Sequence, residues 1–234
     1  MQTALITGGS RGLGLALATS LVEDGWNIVI DGRDEFLLND ALSALRAVSG
    51  RGEVQAIAGD VADRQHRVLL LDAVAARGRL DLLVNNASIL GPSPQPRLAD
   101  YPLDEFEAVV AVNVIAPLAL VQATLPLLRA SGGTIVNITS DAAVEGYEGW
   151  GGYGSSKAAL EQLSNVLAAE EPLVRVYWFD PGDMRTAMHQ AAFPGEDISD
   201  RPLPEAVVPG LRRLLRDAPP SGRYRAAGLL EVEP

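Results

Sequence analysis

Six short apolar runs are separated by segments of helical periodicity, and this alternation restricts the chain more than any other feature. The runs are ALIT (4–7), NIVI (27–30), EVQAIA (53–58), LDLLVN (80–85), TIVNIT (134–139) and VRVYWF (174–179). Helical patterns fall near 12–24, 34–49, 63–77, 102–112, 114–129 and 153–170. Strands that alternate with helices form βαβ units, with parallel strands and right-handed crossovers. The expected fold class is therefore α/β: a doubly wound parallel sheet of about seven strands with helices on both faces. A length of 234 residues suits one domain over 1–234. Residues 181–210 are rich in Pro, Gly and acidic groups without long periodicity, which predicts a flap near 183–210 over a substrate site.

The first run leads into Thr7-Gly8-Gly9-Ser10-Arg11-Gly12-Leu13-Gly14. Glycine permits a tight turn and close approach of a ligand to the backbone. The helix that follows directs its free amides and positive dipole end at the turn, an arrangement that suits a pyrophosphate. The spacing is TGxxxGxG rather than the commoner GxGxxG. Other chemistries are restricted by composition. Cysteine is absent, so disulfides, thiolate metal sites and cysteine nucleophiles are excluded. Two histidines, His66 and His189, leave little for a metal site, and none is expected. A net charge of −11 disfavours nucleic acid and anionic membranes as partners.

The opening MQTALITGG has neither a basic region nor a long apolar stretch, and reads as a strand rather than a signal peptide. Ala108 to Leu128 runs 21 residues without a charge, long enough to span a bilayer. Asn113, Pro117, Gln122, Thr124 and Pro126 interrupt it, so buried core or interface helices are expected instead. The expected location is the cytoplasm.

Tyr153 and Lys157 are four residues apart and share one face of a helix. A free phenol, with a pKa of about 10, is a poor acid or base near neutrality. A fixed ammonium nearby is expected to lower that pKa and allow proton exchange with a carbonyl or alcohol oxygen. Ser140 closes the strand TIVNIT, at the sheet edge where ligands bind in such folds, and can hydrogen-bond the same oxygen. Of nineteen basic residues, eighteen are arginine and Lys157 is the only lysine. A lone lysine here points to a task that a planar, permanently charged guanidinium cannot perform.

These pieces, in this order, resemble the short-chain dehydrogenase/reductase family in its compact single-domain branch. The motifs that carry the resemblance are TGGSRGLG (7–14), Asp60-Val61, Asn85-Asn86-Ala87, Asn113, Ser140, Tyr153 to Lys157, and Asp180-Pro181-Gly182 with Thr186. Ser88 stands where the family usually has glycine, and the Pro-Gly often found before the tyrosine is missing from 141–152. The resemblance implies a catalytic set of Asn113, Ser140, Tyr153 and Lys157. In it Lys157 also holds the nicotinamide ribose, and Asn113 organises a water that relays protons through Lys157. It further implies that Gly8, Ser10, Arg11, Gly12, Leu13 and Gly14 hold phosphate, and that Asp60 and Val61 lie beside the adenine. Asn86 and Ala87 would line the ribose, and Pro181 and Gly182 would turn past the nicotinamide, with Thr186 near its carboxamide.

The second strand ends in Asp31-Gly32-Arg33. An acidic group at a strand end selects NAD through the ribose 2′-OH, whereas an arginine accommodates the 2′-phosphate of NADP. In the family's register the discriminating position falls on Gly32, with Arg33 next and Asp31 on the opposite face. NADP is therefore the expected cofactor, and Arg11 could also reach the phosphate. His66, in a polar helical stretch, reads as solvated. Tyr147, Trp150, Met184, His189 and Phe193 are candidate substrate-lining residues. The expected activity is hydride transfer between nicotinamide and a carbonyl or alcohol substrate. The alternatives are a dinucleotide-binding redox sensor without turnover, or an epimerisation or C=C reduction on the same scaffold. A homodimer or homotetramer is expected, built from helices 114–129 and 153–170.

Overall fold

Strands buried on both faces need apolar residues at successive positions, and β1 (Thr3–Ile6), β2 (Asn27–Gly32) and β4 (Leu82–Asn85) have them. The computed structural model describes residues 1–48, 50 and 52–230. Position 49, the last of the expected second helix, and 231–234, the end of the expected domain, lie outside the described residues. These three strands join β3 (Val54–Ala58), β5 (Thr134–Ile138), β6 (Arg175–Asp180) and β7 (Gly222–Arg225) in one sheet of order β3-β2-β1-β4-β5-β6-β7. All six pairings are parallel. The order reverses between β1 and β4, which opens a crevice at the carboxyl ends of the strands.

Alternate residues of each strand serve opposite layers. Ala4, Ile6, Ile28 and Ile30 pack with α1 (Gly12–Glu23) and α2 (Glu35–Ala47), and with α8 (Val208–Asp217), on one face. Leu5, Val29, Leu83 and Ile135 pack with α3 (Arg64–Ala75) and α5 (Ala116–Ser131) on the other. α6 (Gly151–Glu170) joins that second layer through Leu167 and Ala168. The doubly wound sheet expected from the strand–helix alternation is the observed fold.

Two features differ from the expectation. The helices near 102–112 and 114–129 are not separate. α4 (Leu103–Val110) runs through a wide π turn at Ala111–Ile115 directly into α5. The wide turn leaves the helix unbroken at Asn113, which is buried. Leu103–Ser131 is long and apolar enough to cross a membrane, but Leu120, Val121 and Leu128 pack into the core on the sheet. The seventh strand, Gly-Arg-Tyr-Arg, lacks any apolar run because it pairs on one side only. The segment after β6 holds one short α-helix, α7 (Ala187–Ala192), and one 3-10 turn at Pro204–Ala206 before α8.

Candidate active site

The crevice at the sheet reversal is a cleft of about 600 Å³, within the usual range for small-molecule sites. Its floor begins at the glycine turn. Gly8 adopts φ +65°, and a side chain there would come within 3.0 Å of the Ala87 backbone. Gly14 does not line the cleft; a Cβ on it would meet the Gly8 carbonyl oxygen at 2.5 Å, so it lets α1 approach the turn. No side chain caps α1, and its first amides have no partner within the helix. Ser10, Arg11, Gly12 and Leu13 line the cleft there. These donors suit a dinucleotide pyrophosphate.

At the end of β2, Arg33 lies 61% exposed and 3.9 Å from Asp60. A side chain at Gly32 would come within 2.9 Å of Ser10 Oγ, so that corner offers a hydroxyl and a cation. Asp31 belongs elsewhere: it is buried, accepts from the Gly8 amide at 2.7 Å and pairs with His66 Nε2 at 3.0 Å. The expectation of a solvated His66 is thus wrong. α3 opens on polar residues, but His66 lies on the side that meets β2 and is 4% exposed.

Beyond β4, Asn86 donates through Nδ2 to the carbonyls of Thr7 and Gly8, tying the fourth strand end to the turn. Val61, Asn86, Ala87, Pro181, Gly182 and Thr186 all line the cleft. The Thr186 hydroxyl also caps α7 by accepting from the His189 amide at 3.1 Å.

Ser140, Tyr153 and Lys157 converge at the far end. Lys157 Nζ lies 5.4 Å from the Tyr153 ring centroid and donates to the Ile138 carbonyl at 2.8 Å. Burial lowers its pKa to about 7. The same burial raises the phenol of Tyr153; a hydrogen bond with Ser140 lowers it, and the Asp141 and Asp180 carboxylates raise it further. The expectation that Lys157 depresses the phenol pKa is therefore corrected. Burial and the two carboxylates together outweigh the Ser140 hydrogen bond, so the phenol is held above its ordinary range.

Asn113 is 1% exposed and stands behind this group, outside the cleft lining. Its amide nitrogen donates to the Ile89 carbonyl at 2.9 Å and to Ser156 Oγ at 3.0 Å. Its oxygen accepts from the Ile89 amide and from Ser88 Oγ at 3.1 Å. The serine that departs from the family's glycine thus helps to hold Asn113. Of the candidate substrate-lining residues, Trp150, Met184 and His189 border the cleft, whereas Tyr147 and Phe193 pack against Trp150 from outside it. Leu90, Met188 and Asp141 were not anticipated. Burial alone would raise the Asp141 carboxyl, but hydrogen bonds from Ser140, Tyr147 and the Ala142 amide hold it below the usual carboxylate range. A charged residue directly after a strand-end serine was the one signal available for it.

A sheet-reversal cleft with a glycine turn at one end and a Ser-Tyr-Lys group at the other defines a dinucleotide-binding oxidoreductase fold. The short chain dehydrogenase family profile matches residues 2–197, and the chain belongs to that family. It is 36% identical over 199 residues to mouse sepiapterin reductase, covering 80% of this chain and 76% of that one. A short chain dehydrogenase structure from Pseudomonas syringae superposes with a TM-score of 0.89 at 33% identity, over 96% of this chain and 94% of the other. One from Shigella flexneri 2a, solved with NADP, gives 0.87 at 29% identity over 97% of both chains.

Proposed function

We propose that this protein is an NADPH-dependent reductase that converts a carbonyl substrate to an alcohol. The observation that carries the proposal is the convergence of Ser140, Tyr153 and Lys157 at the end of a cleft that begins at the uncapped amides of α1. NADPH, when bound, supplies the hydride. Tyr153 holds its proton at neutral pH and delivers it to the carbonyl oxygen as negative charge develops there. Ser140 orients that oxygen. Lys157, with a pKa of about 7, can pass a proton to the phenolate and take one back from solvent to regain its charge. Asn113 is a positioning residue that fixes Ser156, which lies one turn after Tyr153 and immediately before Lys157 on α6. Arg11, Arg33 and Ser10 favour the 2′-phosphate of NADPH, as does the NADP complex of the Shigella relative. Leu90, Trp150, Met184 and Met188 make the substrate end apolar, which suits an aryl or alkyl ketone.

The test is nicotinamide absorbance during incubation with a panel of ketones, aldehydes and quinones, using NADPH and NADH in parallel. NADPH consumption with apolar ketones is the expected result. Tight NADPH binding with no turnover on any carbonyl would instead support the redox-sensor alternative.

A further inference from the structure

Asp31 and His66 form a buried ionisable pair that the proposed chemistry does not use. Their side chains are 1% and 3% exposed. Asp31 Oδ1 accepts the Gly8 amide at 2.7 Å, and Oδ2 meets His66 Nε2 at 3.0 Å. The carboxylate is therefore held from two sides, by the phosphate turn and by α3. The fold makes room for the ring: a Cβ on Gly59 would lie 2.2 Å from His66 Nδ1, and Gly59 adopts φ +158°. Asp31 is also the one carboxylate on β2 and borders the cleft beside Gly32. The Asp31 side chain leaves β2 on the face opposite that of Gly32, yet the residue lines the cleft; released from His66, the carboxylate could swing from the Gly8 amide toward the ribose hydroxyls, which an acidic group at a strand end would bind.

We infer that His66 is a positioning residue for cofactor selection. It fixes Asp31 on the Gly8 amide and so withholds from NADH the carboxylate that would favour it. The inference rests on the NADPH reading above, and names a determinant of that preference on a helix outside the cleft lining.

The experiment measures Kd for NADPH and NADH by fluorescence titration of wild type, His66→Leu, His66→Gln, Asp31→Asn and the Leu/Asn double variant. His66→Leu should reduce the ratio Kd(NADH)/Kd(NADPH) by about tenfold, the scale of a hydrogen bond to a charged group. The amide of His66→Gln can still donate to Asp31, and should restore the wild-type ratio. In the Asp31→Asn background the leucine should change the ratio no further, because the two residues act as one unit. Equal weakening of both cofactors, or the same ratio change without the Asp31 charge, would overturn the inference. If His66→Leu does not fold, His66→Ala carries the same expectations. A wild type that prefers NADH overturns the NADPH reading by itself. An unchanged ratio across the His66 variants in an NADPH-preferring protein overturns only this inference.

Discussion

Lys157 shows how one residue can carry a requirement that charge alone does not meet. Its burial and its hydrogen bond to Ile138 leave space for a compact ammonium, and a pKa of about 7 allows proton release near neutrality. Guanidinium is planar, bulkier and cannot release a proton there. Lys157→Arg should fold yet lose turnover on the order of 10²-fold or more, measured at saturating NADPH beside a thermal melt. The same burial sets a stability signature. The folded pKa lies below the ordinary value of 10.5, so between about 7 and 10.5 the unfolded chain binds more protons. The strain of burying the ammonium is complete below pH 7 and is relieved as pH rises through that window. Tyr153 acts with opposite sign only above its ordinary value of 10.0. Urea titrations at pH 7 and about pH 9.5 should show wild type gaining stability relative to Lys157→Met, on the order of a few kcal/mol. At the other end of the cleft, Arg33→Ala should weaken NADPH by about 1.5–3 kcal/mol and leave NADH nearly unchanged in calorimetric titrations. Equal losses for both cofactors would remove Arg33 from the 2′-phosphate.

At the scale of elements, the edge strand β7 does more than extend the sheet. Arg223 donates to Glu161 at 2.9 Å, to Asp180 at 3.0 Å and to the Ser140 carbonyl at 3.1 Å. Arg225 reaches Asp180 from the same strand at 3.1 Å. Two arginines therefore fasten the ends of β5 and β6, where Ser140 and Pro181 enter the cleft. Arg223→Met should cost about 2–3 kcal/mol in urea unfolding, less than a fully buried pair, because Arg223 is partly exposed and Asp180 keeps Arg225. A loss within about 0.5 kcal/mol would show that the bracket contributes nothing to stability.

At the scale of the whole molecule, the outer surfaces of the second layer are unusually apolar. Ile115 is 53% exposed, Leu118 37% and Val166 43%, and Ala158, Ala159 and Ala169 are exposed along α6. Side chains this apolar and this small allow helices to approach closely across a two-fold axis. Light scattering at micromolar concentration should give a homodimer or homotetramer. A monomer would leave these faces for some other use.

The sequence by itself determined the layer architecture, because strand and helix periods are local and the glycine turn marks where the first βα unit bends. It also pointed to Ser140, Tyr153 and Lys157 as one group, since four-residue spacing on a helix and a strand end are both readable along the chain. Only the tertiary structure decided the rest. β7 was illegible because an edge strand needs no apolar run, and its arginines acquire meaning only beside Asp180 and Glu161. Asn113 gave no local sign of a π turn, whose partners Ile89 and Ser156 lie 24 and 43 residues away. Asp31 and His66 meet across 35 residues, and whether a histidine is solvated or buried depends on which face of α3 meets the sheet. The Tyr153 pKa likewise follows from burial by the whole fold, a quantity that no spacing along the chain encodes.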